Sequence, residues 1–223
     1  MKRSTMLVAV SIGVVVLYAL AVLVEGETPG VNDDGGTVVA WLLEHRDQVR
    51  WATWFITLAA PVFAVYAVLM RELLTGIAGR LFMFGATAVV VLSTMDSWFI
   101  AGLARRPELL DPNTVRTLFD ISNYWGPTLT GFTVLTLGPL AWAGLRGGQL
   151  PRWVGVLAAV TFVEQIIETV TIFGTSGFIA AGGPMNTQLG AGLTILTWLV
   201  AGITASRRMP ATTGSGGRTR GRR

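Results

Sequence analysis

The sequence has no cysteine and one histidine, and of its 17 basic residues only Lys2 is not arginine. Without cysteine there is no disulfide, no thiolate ligand and no cysteine nucleophile. His45, beside Glu44 and Asp47, reads as a solvated surface residue rather than the start of a metal site. The chain also lacks a G-x-x-x-x-G-K-[ST] loop, an H-E-x-x-H pair and paired Asp-rich motifs. Those absences argue against P-loop nucleotide hydrolysis, a zinc protease and a prenyl-diphosphate enzyme. No cofactor and no metal is expected.

Charge is scarce as well: 13% of residues are charged against 52% hydrophobic, and the charges bunch between long apolar runs. That is the pattern of a polytopic membrane protein and not of a large soluble core. Six runs, at about 6–24, 51–70, 81–103, 126–145, 153–173 and 189–206, predict an all-α bundle of six transmembrane helices. They form a single domain over 1–208, followed by a disordered basic tail, 209–223, that carries Arg218, Arg220, Arg222 and Arg223. The first run spans ~19 residues, longer than a signal-peptide core, and reads as a retained helix. The eight tryptophans are mostly at span ends, where an aromatic belt explains them.

Two polar connections predict extra helices at the membrane surface. In 25–50 a turn-rich loop precedes a stretch with Val38, Trp41 and Leu42 on one side. In 107–125 Asp111 reads as an N-cap and Pro112 as the first helical residue, ahead of a face made by Val115, Leu118, Phe119 and Ser122. Both are expected to be extracytoplasmic amphipathic helices. The uncharged, Gly-rich stretch 174–188 reads as a loop in preference to a re-entrant segment tucked into the bundle, with its end near Gly182 available to extend the short last span.

Six spans put both termini on one side. With both inside, Lys2, Arg3, Arg71, Arg80, Arg146, Arg152, Arg207, Arg208 and the four tail arginines make twelve cytoplasmic basic residues, against five outside. That distribution satisfies the positive-inside rule and predicts a bacterial plasma-membrane protein with cytoplasmic N- and C-termini. The tail suits anionic lipid rather than nucleic acid.

The functional clue lies in 153–173, which is long enough to cross a bilayer yet holds Glu164 and Glu168. At four residues' spacing they are expected to share a helix face, flanked by Thr161, Gln165 and Thr171. Glu164 falls ~16 Å along the helix from Trp153, near the midplane, and Glu168 ~6 Å further out. Asp96 lies ~24 Å from Arg80 and reaches a similar depth. No Lys or Arg sits in any run to neutralise these acids. Acids so placed face a protein interior or a water-filled cavity, and carry a proton or share a cation.

The stretch LPRWVGVLAAV, with Leu150, Pro151, Arg152, Trp153 and Gly155, resembles the late-helix opening of six-helix integral membrane proteins of actinobacteria that are grouped as a domain of unknown function. The resemblance covers about the last third of the chain. It implies the membrane class and topology and assigns no role to Glu164 or Glu168.

Three functions remain in view. The leading one is a non-enzymatic membrane protein whose acidic cluster (Asp96, Glu164 and Glu168, with Gln165 and Thr161) binds a proton, a small cation or a cationic apolar ligand, for transport or sensing. The second is an assembly or regulatory partner in the membrane, acting through a homo-oligomer or another protein, with the acids as interhelical glue. The third is a small intramembrane enzyme on lipids using Glu164 or Glu168 as acid or base. No nucleophile or metal set accompanies the carboxylates, so no catalytic residue is assigned and an enzyme is the least favoured reading.

Overall fold

The computed structural model describes residues 2–209, so the basic tail expected at 209–223 lies outside the described residues save for Met209. The described chain is all-helical, without a strand. The main helices are α1 (Arg3–Glu25), α2 (Gly35–Glu44), α3 (Arg46–Leu73), α4 (Gly76–Leu103), α5 (Pro112–Asn123), α6 (Trp125–Leu145), α7 (Arg152–Glu168) and α8 (Ala191–Ser206). A 3-10 turn, Thr169–Phe173, extends α7, and a π-helical turn, Met185–Gly190, leads into α8.

Six of these segments are long and apolar enough to cross a membrane: those built on α1, α3, α4, α6, α7 and α8. They close into a ring in chain order. α1 packs on α3, α3 on α4, α4 on α6, α6 on α7, α7 on α8, and α8 returns to α1. The apolar residues that face away from the ring include Val156, Val160, Val163 and Ile167 of α7. The same helix turns Val154, Ala158, Thr161, Gln165 and Glu168 inward. An exterior more apolar than the interior is what a bilayer selects, because hydrocarbon offers no partner to a polar side chain.

Small residues set the closest approach. A Cβ at Gly144 in α6 would lie 2.4 Å from the Gly155 Cα of α7, so the turn between these helices depends on both glycines. One half of the ring is filled by Phe63, Tyr66, Phe82, Leu140, Val154 and Trp198. The Tyr66 hydroxyl donates to the Trp198 carbonyl at 2.8 Å, which ties α3 to α8 through the core.

The opposite half is organised differently. There α2 and α5 pack on each other around Val38, Leu42, Val115 and Phe119, against Val49 of α3 and Leu103 of α4. Asp34 caps α2 by accepting from the Thr37 N–H at 2.8 Å, and this bond holds the Asp34 carboxyl below the usual carboxylate range. Asp111 caps α5, accepting from the N–H groups of Asn113 and Thr114, with Pro112 next in the chain as expected. Arg116 ties α5 to the loop ahead of α2 by donating to the Gly30 and Asp33 carbonyls, while it pairs with Asp120.

The stretch 174–188 differs from the expected plain loop. It folds into a 3-10 turn, Gly177–Ile179, and the beginning of the π-helical turn, burying Ala180, Ala181, Met185 and Asn186. The last span therefore begins at Met185 rather than 189. Gly182, at φ +74, allows the reversal that sends the chain back into the ring.

The α6–α7 contact generates a testable expectation. Gly144→Ala should lower stability by about 1–3 kcal/mol, because neither backbone can withdraw from the other. Gly131→Ala, on the same helix with nothing within 4 Å of the new methyl, should instead be neutral or gain up to about 1 kcal/mol. Thermal unfolding of the two variants in detergent measures the difference.

Candidate functional site

Within the α2–α5 half the ring is not filled. A cavity of ≈340 Å³ is lined by α1, α4, α5, α6, α7, the π-helical turn and α8, and reaches the bundle end at Thr28 and Gly182. Three carboxylates line it: Glu25, Asp96 and Glu168. Among the described residues its lining includes no Lys, Arg or His. None of the three carboxylates belongs to an ion pair among the described residues.

Glu168 is the most deeply embedded, at 2% exposure. Its Oε1 accepts from the Thr130 hydroxyl at 2.9 Å and from Asn186 Nδ2 at 2.6 Å, and its Oε2 accepts from Gln165 Nε2. All three donors are neutral, so Glu168 is solvated by hydrogen bonds alone, without a counter-charge. α6, α7 and the π-helical turn each contribute one donor, so the carboxylate joins three segments at a point. Asn186 is itself positioned by donating to Thr171 at 3.2 Å and accepting from the Gly182 N–H at 3.2 Å. Room for the carboxylate comes from Gly190, where a Cβ would sit 1.7 Å from Glu168 Oε2.

The threonines of α6 complete this wall. Thr130, Thr133 and Thr136 are buried at i, i+3, i+6, and each hydroxyl bonds back to its own helix. Thr130 and Thr133 also reach across to Glu168 and Gln165. Trp198 closes the cavity floor, its indole N–H donating to Thr136 at 3.0 Å.

On the facing wall Asp96 is half-buried and accepts a 2.7 Å bond from the Ser122 hydroxyl of α5. Glu25, the last residue of α1, lines the cavity with Asp96. Among the described residues Glu25 has no side-chain hydrogen bond. Next to them, Ser93 accepts from the Tyr18 hydroxyl at 3.4 Å. The cavity thus has a donor-saturated carboxylate on one side and a donor-poor pair on the other.

The five residues singled out from sequence do not all meet. Asp96, Glu168 and Gln165 line the cavity together. Glu164 and Thr161 do not. Thr161 faces α8 instead, hydrogen-bonded to Thr197 at 2.8 Å. Glu164 lies beside the site: its Oε2 accepts from Gln165 Nε2 at 3.1 Å, while its Oε1 is buried without a partner among the described residues. At 3.6 residues per turn Glu164 falls about 80° from the middle of the inward face of α7, so a spacing of four does not give it the environment of Glu168.

Glu25 and Asn186 did not stand out in sequence. Glu25 directly follows an apolar run and looked like the start of a loop. Asn186, Gly190 and Thr194 repeat every four residues, a helical signal interrupted by the glycine-rich composition around it. His45 stacks on Trp41, with ring centroids 5.0 Å apart. Among the described residues no group of three or more His, Cys, Asp or Glu side chains is arranged to hold a metal ion.

The contact between Gly190 and Glu168 can be tested by a double-mutant cycle. Gly190→Ala should cost about 1–3 kcal/mol by displacing the carboxylate. Combined with Glu168→Ala, which empties the space, it should cost less than the sum of the single changes, with a coupling of about 0.5–3 kcal/mol. Additive losses in thermal or denaturant unfolding would show that the two positions do not meet.

Comparison with protein-family models, with curated proteins and with solved structures finds no match for this chain.

Proposed function

We propose that this protein is a multi-pass protein of a bacterial plasma membrane that binds a cation in a cavity open to the outer side, for transport or sensing. One observation carries the reading: Glu25, Asp96 and Glu168 line a single cavity that holds no basic side chain among its lining residues. Clustered carboxylates without a counter-charge favour occupancy by a proton or cation, because their mutual repulsion and desolvation are relieved when positive charge enters.

The orientation rests on charge. Lys2, Arg3, Arg71, Arg80, Arg146, Arg152, Arg207 and Arg208 belong to the end away from α2 and α5, which the positive-inside rule assigns to the cytoplasm. Of the 13 acidic residues only Glu72 belongs to that end, where it pairs with Arg3 at 2.8 Å. The other twelve lie from mid-bundle outward, producing a field that draws cations toward the cavity mouth. In this orientation α2 and α5 are the extracytoplasmic amphipathic helices, roofing the membrane around the opening.

The absence of native cysteine makes the reading directly testable. In intact cells Ile195→Cys, in the cavity wall, should react with a trimethylammonium methanethiosulfonate at least about tenfold faster than with its sulfonate counterpart, each rate being divided by that reagent's rate with a free small thiol. Asp96→Asn should shrink that normalised ratio. Asn113→Cys should label from outside and Gly147→Cys should not. Equal normalised rates for the two reagents at Ile195→Cys would refute an electronegative cavity, and outside labelling at Gly147→Cys would refute the orientation.

A further inference from the structure

Resting on the cation-binding reading, we infer that the ligand is an organic ammonium ion with an apolar body, its charge held between Glu25 and Asp96, rather than an inorganic cation. Size is the first reason. At ≈340 Å³ the cavity falls in the range of sites for organic molecules and far exceeds a single bare ion. The ligand set is the second. Calcium and magnesium take about six or more oxygens at tight distances, whereas no cluster of three His, Cys, Asp or Glu side chains suited to a metal occurs among the described residues.

The chemistry of the walls is the third reason. Between the carboxylates the lining is apolar and aromatic, with Val22, Leu129, Ile195, Tyr18 and Trp198. Such a wall gains nothing from a hydrated metal ion but buries a hydrocarbon body.

The polar groups point to where the charge sits. Glu168 already accepts three hydrogen bonds, so its lone pairs are largely committed. Asp96 accepts one, from Ser122, and Glu25 accepts none among the described residues. The carboxylate oxygens least supplied with donors are therefore those of Glu25 and Asp96. On the opposite wall Thr194 also lines the cavity; it is only 4% exposed, and its Oγ1 has no hydrogen-bond partner among the described residues.

The test is binding to purified protein in nanodiscs, by calorimetry and thermal shift, using 2-phenylethylammonium, its neutral analogue 2-phenylethanol, sodium and magnesium. The amine should bind at least about tenfold more tightly than the alcohol, and Glu25→Gln and Asp96→Asn should each weaken it by about tenfold or more. Asp96→Asn can still accept from Ser122, and Glu25→Gln breaks no bond within the described protein, so both should fold. Equal binding of amine and alcohol would overturn the inference. If sodium or magnesium alone stabilises the protein, and does so through Asp96 or Glu25, the ammonium class fails while cation binding stands. If none of the cations has a carboxylate-dependent effect, both fall.

Discussion

Moving a carboxylate from water into a helix bundle costs several kcal/mol unless its oxygens find donors, and the way this cost is met for Glu168 accounts for much of the structure. Three neutral donors converge on the carboxylate, from Thr130 on α6, Gln165 on α7 and Asn186 on the turn before α8. Each donor needs its own segment at a fixed distance. Gly190 must lack a side chain for the carboxylate to fit. The π-helical turn over Met185–Gly190 brings Asn186 and Gly190 to the same carboxylate. One buried charge thus couples the last three spans of the ring.

The first spans solve a different problem. α1, α3 and α4 pack mostly through apolar side chains and bring Glu25 and Asp96 to the far wall of the cavity with few donors of their own. The two halves of the ring therefore meet around a space whose walls differ in how well their acids are satisfied. Below it, Trp198 is locked by Thr136 and Tyr66, and Phe63 packs against its ring at 4.5 Å. Above it, Ser122 ties α5 to Asp96, so the helix pair at the bundle end is joined to the site by a hydrogen bond. Motion of α5 would change the environment of Asp96 directly.

The architecture was readable because the bilayer imposes a length and a polarity on each span, and those are properties of single segments. Asp96 and Glu168 were readable for the same reason, since an acid inside an apolar run stands out. What decides the site is not a property of single segments. Glu164 looked equivalent to Glu168 at a spacing of four, yet the inward face of α7 is set by its packing on α6 and α8 and leaves Glu164 to one side. Glu25 joins the site only because α1 and α4 end at the same level of the bundle. The compact fold of 174–188 follows from a tertiary contact, Asn186 to Glu168, that no local pattern announces. Thr161, expected at the site, instead meets Thr197, a partner 36 positions along the chain.

The central claim is that the cavity carries negative charge which the described protein does not neutralise. The most direct measurement supplies the missing charge internally. Leu129→Lys places an ammonium on the cavity wall, and its effect on unfolding free energy is compared in two backgrounds, the native one and Glu25→Gln/Asp96→Asn/Glu168→Gln. If the carboxylates lack a counter-charge, the lysine should be tolerated in the native background and cost about 3 kcal/mol or more once they are neutralised, since it is then buried without a partner. The same destabilisation in both backgrounds would mean that the cavity has no unmet negative charge, and the account would be wrong.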